Sequence, residues 1–416
     1  MKVLLVNKFH YLKGGSEKYY FELGELLKSH GHEVAYFSME DEKNISTGDK
    51  EYFVEKLDLN TGSKLKAFDV IYSKKNKKKM EEALDDFKPD IVHLNNFQRQ
   101  LSASIISPIK KRNIPIIYTA HDVQAICPAI SMLDNNQEIC EKCMGGKYSN
   151  CFKNKCNKGS TLKSLLGTIE GKYYRNNKIY TDKIDAIITP SKFYKNKFIE
   201  DGVNENKIIA LHNFINIDEY NVNVEDDGYA FYFGRLSKEK GILNLIDAFS
   251  NLIKENNNFQ DKKLLIAGDG PEKEKINRKI TDEKLENNIV LVGYVNQDML
   301  RNYIRKCRFS VVPSVWYENC PYSIIETQVI GKPIIGSNIA GIPEMVVDKH
   351  SGFIYKFDDI DDLANKMKIL FSNKKLAQEY GENARRDALI EYDSEKYYDE
   401  IIRLYETKEK DGKKAK

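Results

Sequence analysis

Two glutamates eight residues apart, Glu318 and Glu326, sit in the run Ser314-Val-Trp-Tyr-Glu-Asn-Cys-Pro-Tyr-Ser-Ile-Ile-Glu326. The second opens a helical stretch that reaches Gly331-Lys332-Pro333, and Pro321 suits its first turn, where a missing N–H costs nothing. Free backbone amides at a helix start attract anions, so those near Tyr322 and Ser323 are candidates to meet a phosphate. Spacing alone leaves a second reading, two unrelated surface carboxylates. Upstream, Phe233-Gly-Arg235-Leu-Ser-Lys-Glu-Lys240-Gly241 follows an apolar run and leads into a helical pattern. An arginine at a strand end can fork two phosphate oxygens, and a lysine adds a point charge. Arg235 and Lys240 are therefore candidate diphosphate contacts. The Gly-Asp-Gly-Pro turn at 268–271 contributes Gly270, and Lys13-Gly14-Gly15-Ser16-Glu17 follows the first apolar run. Gly14 and Gly15 let backbone approach a ligand there, but the Gly-x-Gly-x-x-Gly fingerprint of a dinucleotide cofactor is incomplete.

The cysteines carry a second chemistry. Cys140-Glu-Lys-Cys143 is a C-x-x-C, and Cys151 and Cys156 follow closely. Four such thiols in a reducing compartment predict a tetrahedral structural zinc, with Cys127 able to replace one ligand. Free thiols, disulfides and an iron–sulfur cluster are the alternatives. A catalytic divalent cation would need an Asp-x-Asp at a strand end. The candidate, Asp358-Asp359-Ile-Asp361-Asp362, instead precedes a helical run, where acids cap a helix and oppose its dipole. No catalytic metal is expected. Lys64, Lys66, Lys74, Lys75, Lys77, Lys78 and Lys79, with only Asp69 against them, form either a solvated helix face or a patch that rests on anionic lipid.

These residues need a scaffold, and the chain supplies one. Short β-rich runs alternate with longer helix-patterned stretches to about residue 360, the signature of parallel sheets covered by helices. The first series is Val3–Val6, Glu33–Phe37, Ile91–Leu94, Ile116–Thr119, Ala186–Thr189 and Lys207–Leu211. The second is Tyr229–Phe233, Leu264–Ala267, Ile289–Val292, Phe309–Val312 and Ile334–Ile335. The polar segment 213–228 between them marks a boundary. The expected architecture is α/β: two Rossmann-like domains, 1–215 and 216–390, presenting strand ends to a shared cleft. Residues 127–178, rich in Cys, Gly, Asn and Lys, form an insertion in the first domain. The tail 391–416 reads as a helix, with Tyr397, Tyr398, Ile401, Ile402 and Tyr405 at helical spacing, crossing back to the first domain. A net charge of +3 is too small to make nucleic acid the default partner. The apolar stretches fall short of a membrane span, and the four apolar residues before Asn7 fall short of a signal peptide. A cytoplasmic protein is expected, peripheral at the inner membrane face if the lysine patch meets lipid.

Taken together, the Glu318–Glu326 spacing, the Gly-Arg-x-x-x-x-Lys-Gly run, the Gly-Asp-Gly-Pro turn, the N-terminal Gly-Gly-x-Glu and Thr189-Pro190-Ser191 resemble the family 4 glycosyltransferases of the GT-B fold. The resemblance covers most of the chain and is densest from Tyr229 to Gly352. It implies a nucleotide-diphosphate sugar as donor, transfer with retention, and a glycan or lipid-linked acceptor in cell-surface polysaccharide biosynthesis. By the same resemblance Arg235 and Lys240 hold the diphosphate, Glu326 the ribose, and Glu318 lies near the sugar. The backbone around Tyr294 and Val295 reads the base, and His121 sits beside the sugar. A histidine merely hydrogen-bonded at a strand end is the plainer account of His121. The chain departs from the family's commonest form in having Asn-Cys-Pro after Glu318 and Thr-Gln after Glu326, which bears on sugar or acceptor choice. A nucleotide-sugar-binding or assembly subunit without turnover is the alternative function. Release of nucleoside diphosphate is expected to be the same with and without EDTA; loss of turnover in chelator, restored by a divalent cation, would refute the metal-free reading.

Overall fold

The computed structural model describes residues 1–57, 68–220, 224–255 and 257–414. They divide into two compact units, Met1–Asn213 with Glu395–Lys416, and Phe214–Ser394. In the first unit seven strands, β1 (Lys2–Val6), β2 (Glu33–Met39), β3 (Lys50–Val54), β4 (Ile91–Leu94), β5 (Ile116–Thr119), β6 (Ala186–Thr189) and β7 (Ile208–Ala210), form one parallel sheet. Their order is β3-β2-β1-β4-β5-β6-β7. Val3 lies opposite Val34 on one side and Ile91 on the other. Strands β4, β5 and β6 are buried along their whole length, as expected of a parallel sheet covered on both faces. The helix Gly15–Ser29 covers part of it with Tyr19, Tyr20, Leu23, Leu26 and Leu27.

The helix Ser394–Lys414 belongs to the first unit from Glu395 onward. It buries Tyr397, Ile401 and Tyr405, spaced four apart so that they share one face. Buried hydroxyls need partners, and these have them. Tyr397 bonds the Tyr19 hydroxyl, and Tyr405 bonds His93 Nδ1. His93 Nε2 and the Tyr19 hydroxyl both meet Thr119 Oγ1, at 2.7 and 3.1 Å. Three strand or helix elements and the C-terminal helix thus share one polar knot inside an apolar core.

The second unit repeats the plan with β8 (Ala230–Phe233), β9 (Leu264–Ala267), β10 (Ile289–Gly293), β11 (Phe309–Val312), β12 (Ile334–Ser337) and β13 (Gly352–Tyr355). The order is β10-β9-β8-β11-β12-β13, all parallel. Leu245, Ile246, Phe249 and Leu252 of the helix Ile242–Glu255 pack in one core with Leu363, Met367 and Leu370 of the helix Ile360–Ser372. Asp359 caps that second helix, accepting from the Asp362 amide at 3.0 Å. In each sheet the winding direction reverses once, between β1 and β4 and between β8 and β11. Ligands of open parallel sheets bind outside the strand ends at such a reversal.

Two strands were not expected. Strand β3 is a half-exposed Lys-Glu-Tyr-Phe-Val edge, and β13 is a four-residue run entered through Gly352. The segment 127–178 adds no strand to the sheet; it carries the short helix Ser149–Lys153 and the longer Thr161–Asn176.

Burial pushes the His93 pKa down to about 3, and the neighbouring His121 acts in the same direction. His93 is thus neutral in the folded chain and takes a proton on unfolding below its ordinary value near 6.5. Its contribution is complete above pH 6.5 and falls away toward pH 3. Between pH 7 and 5 the loss is about 2 kcal/mol. Urea unfolding of H93Q at the two pH values is expected to show a pH dependence smaller by that amount; an unchanged dependence would place the titration elsewhere.

Candidate functional site

The loops that leave β8 and β11 meet at the reversal of the second sheet. The Val315 amide donates to the Glu239 carbonyl at 2.9 Å, joining the two. Gly241 has φ +67°, and a side chain there would run into the Pro313 carbonyl oxygen, so only glycine lets these loops approach this closely. Lys240 is thereby carried to Glu318, with Nζ 2.6 Å from Oε1. The Ser314 hydroxyl donates to the same oxygen at 2.6 Å. Glu318 is buried. Burial opposes its charge, but the Lys240 ammonium and the Ser314 hydroxyl outweigh that and hold its pKa below the usual carboxylate range. Glu318 is therefore held as the carboxylate, and among the described residues Glu318 is the one hydrogen-bond acceptor of the Lys240 ammonium, which leaves it further donors.

Arg235 is exposed on the loop after β8, and among the described residues its guanidinium makes no ion pair or hydrogen bond. Tyr322 and Ser323 are the first two residues of the helix Tyr322–Ile330, with Pro321 as its cap rather than inside its first turn. Glu326 is buried one turn further on and accepts from the Tyr220 hydroxyl at 3.3 Å. Gly270 has a packing role: a side chain there would strike the Leu236 backbone. The Leu236 amide bonds the Asp269 carbonyl at 3.0 Å, so the Gly-Asp-Gly-Pro turn braces the loop that carries Arg235. Val295 is half-buried after β10, beside an almost fully exposed Tyr294. Strand β10 lies two places from β8, and no bond among those described joins Val295 to the Glu318 group.

In the first unit His121 follows β5. Its Nε2 is 2.9 Å from Asn95 Oδ1, and its ring meets Tyr19 edge-on at 4.8 Å. Asn95 is itself held by the Val6 carbonyl at 3.4 Å, which turns its oxygen toward the imidazole. Burial, then the charge of Lys8, push the His121 pKa down to about 3, so this imidazole is neutral. Gly14 is the extended cap of the helix Gly15–Ser29, and both glycines are exposed. Ser16 and Asn7 bond the buried Glu17 at 3.0 and 3.4 Å, and burial raises its pKa.

Residues 13–219 match the model of Glycosyltransferase Family 4, and residues 214–387 that of Glycosyl transferases group 1. The chain belongs to the family 4 glycosyltransferases. A glycosyltransferase of Methanocaldococcus jannaschii, itself described as uncharacterized, is 30% identical over 230 residues, 55% of this chain and 60% of that protein. The capsular polysaccharide biosynthesis glycosyltransferase CapM of Staphylococcus aureus is 27% identical over 277 residues, 61% of this chain and 71% of its own length. Anabaena HepE, solved in complex with UDP and glucose, has the same fold, with a TM-score of 0.69 at 15% identity over 97% of this chain and 99% of HepE.

The zinc expected of this glycosyltransferase is not supported. No group of three or more His, Cys, Asp or Glu among the described residues could hold a metal ion. Cys143 and Cys151 instead pack with Tyr148 into a small apolar core, against which Ala129 and Cys156 rest, and none of the seven cysteines is in a disulfide. Burial pushes the Cys143 thiol up to about 12 and Cys127 up to about 11, whereas a hydrogen bond from Cys151 brings Cys156 down to about 7. Cys140 is only half-buried and lies outside that core. Cysteine spacing says nothing about burial, and here buried thiols act as small apolar side chains.

Of the expected lipid patch, Lys64 and Lys66 lie outside the described residues. Lys74, Lys75, Lys77, Lys78 and Lys79 lie on the helix Lys74–Phe87. Three of these pair with carboxylates, Lys75 with Glu55 at 2.9 Å, Lys77 with Glu81 at 3.9 Å and Lys79 with Glu82 at 3.4 Å. That favours the solvated-face reading. No helix among the described residues is long and apolar enough to cross a membrane.

Sequence reasoning missed Ser314, Asn95 and Tyr220, which act through tertiary neighbours. The serine four before Glu318 was the one local signal. Removing Lys240 strands a buried carboxylate, and K240A is expected to destabilise the second unit by about 3–5 kcal/mol. E318Q in the same chain should return most of that loss. A double-mutant cycle in urea measures the coupling, and additive losses would show that the pair is not energetically joined.

Proposed function

We propose that this chain transfers a sugar with retention from a nucleoside diphosphate donor to a hydroxyl of a glycan or lipid-linked acceptor in cell-surface polysaccharide assembly. One observation carries the reading. At the strand reversal of the second unit, Arg235, which has no side-chain bond among the described residues, a Lys240 with donors to spare and the start of the helix Tyr322–Ile330 are gathered by neighbouring loops. Such an arrangement suits a diphosphate. The UDP seen with HepE and the pathway in CapM's description point the same way.

In this reading the second unit takes the donor and the first takes the acceptor. Arg235 and Lys240 neutralise charge that builds on the diphosphate as the C1–O bond breaks. Two charge-assisted contacts of ~1.5–3 kcal/mol each supply roughly 10²–10⁴ in rate if felt in the transition state. Glu318 holds the Lys240 ammonium in place and offers its carboxylate to the sugar, and Glu326 takes the ribose hydroxyls. The acceptor oxygen bonds C1 from the face that the diphosphate leaves, and its proton passes to the departing phosphate oxygen. His121 is neutral and bonded through Nε2, and so offers Nδ1 as a hydrogen-bond acceptor within the first unit.

The test is release of nucleoside diphosphate from UDP-, GDP- and ADP-sugars, with donor binding followed in the same samples by thermal shift. One donor is expected to turn over, and R235A to lower the rate at least about 100-fold. NMR of the product anomer decides retention. Binding without release on any acceptor would favour the non-catalytic subunit, and absence of binding would overturn the donor site.

A further inference from the structure

The helix Thr161–Asn176 turns mostly small and polar side chains inward. Ser164, Gly167, Thr168 and Glu170 are buried, and Tyr174 in its last turn is the one large side chain buried with them. Ser164 Oγ accepts from the Asn157 amide at 3.0 Å, and Thr168 Oγ1 donates to the Tyr148 carbonyl at 3.0 Å. Glu170 accepts from the Arg99 amide at 3.1 Å and from Gln124 Nε2 at 3.2 Å. Three of its four aliphatic side chains lie on the exposed side, and the fourth, Leu166, is half-buried. Leu162, Leu165 and Ile169, at positions i, i+3 and i+7, are 60%, 39% and 41% exposed. Phe152, on the short helix Ser149–Lys153 that packs against this one, is exposed as well.

An amphipathic helix normally turns its apolar stripe to the core. Here hydrogen bonds fix the opposite orientation, so the stripe is held out to meet something. The charge around it identifies what. Residues 142–169 contain six lysines and no acidic residue. Lys153, Lys155 and Lys158, with Lys172 on the helix itself, are exposed, and none makes an ion pair among the described residues. This differs from the helix Lys74–Phe87, where three of the five lysines are offset by neighbouring glutamates.

We propose that this face of the first unit seats on an anionic lipid bilayer, with Leu162, Leu165 and Ile169 entering the interface and the lysines meeting lipid phosphates. An apolar stripe flanked by basic residues is the composition of helices that lie in a membrane surface, and clustered lysines beside it add attraction to anionic headgroups. The site is independent of the donor chemistry, and its readout involves no turnover.

The test is co-sedimentation of the full chain with vesicles of phosphatidylglycerol and phosphatidylcholine, against vesicles of phosphatidylcholine alone. The chain is expected to partition onto the anionic vesicles and at least about tenfold less onto the neutral ones. L162Q/L165Q/I169Q and K153Q/K155Q/K158Q, which alter exposed side chains only, should each lower the anionic partition about tenfold while leaving the thermal unfolding midpoint unchanged. Three results would overturn the proposal: no partition of the parent chain, equal partition onto both vesicles, or partition that neither variant changes. Concentration-dependent self-association abolished by the leucine and isoleucine changes, with no vesicle binding, would assign the face to a second copy instead.

Discussion

A parallel sheet covered by helices on both faces sends every strand out at the same edge, and its winding can reverse only where two neighbouring strands part company. That constraint organises both halves of this chain. Each unit has one reversal, between β1 and β4 or between β8 and β11. In the second unit the two loops leaving that point are drawn together tightly enough to bury Glu318 against a half-buried Lys240. The pair persists because each charge removes the cost of burying the other, and Gly241 keeps the approach open. In the first unit the corresponding edge carries Lys8, Asn95 and His121, where burial rather than pairing dominates and leaves the imidazole neutral.

Much of this was legible in the sequence. Long apolar runs such as Val3–Val6 and Ile116–Thr119 became buried central strands because nothing but a sheet interior suits them. Strand β3 escaped notice because an edge strand needs only one covered face, and Lys-Glu-Tyr-Phe-Val lacks a contrasting pattern. Candidate site residues were readable by type and by position after a strand, as with Arg235 and Lys240. Their partners were not. Asn95 reaches His121 from a different strand end, and Tyr220 reaches Glu326 across 106 residues, so no local spacing encodes either contact.

The cysteines show the opposite error, in which a real local pattern was given the wrong physics. C-x-x-C followed by two further thiols fits a metal cage on spacing, yet packing against Tyr148 turned them into core. The same insertion inverts the usual rule for a helix. Its polar residues are spent inward on Asn157, Tyr148, Arg99 and Gln124, which leaves Leu162, Leu165 and Ile169 outside. In the sequence that segment was legible only as part of an insertion rich in Cys, Gly, Asn and Lys.

The C-terminal helix has a bearing on how the molecule is made. Its tyrosines complete the core of a unit whose other 213 residues come first in the chain, yet it follows all of residues 214–394. At translation speeds of about 5–20 residues per second, a ribosome takes roughly 10–40 s to cross that stretch. Throughout that interval the nascent first unit holds His93, Tyr19 and Thr119 without their closing partners. The second unit, continuous in sequence, has no such wait and can finish folding before the first.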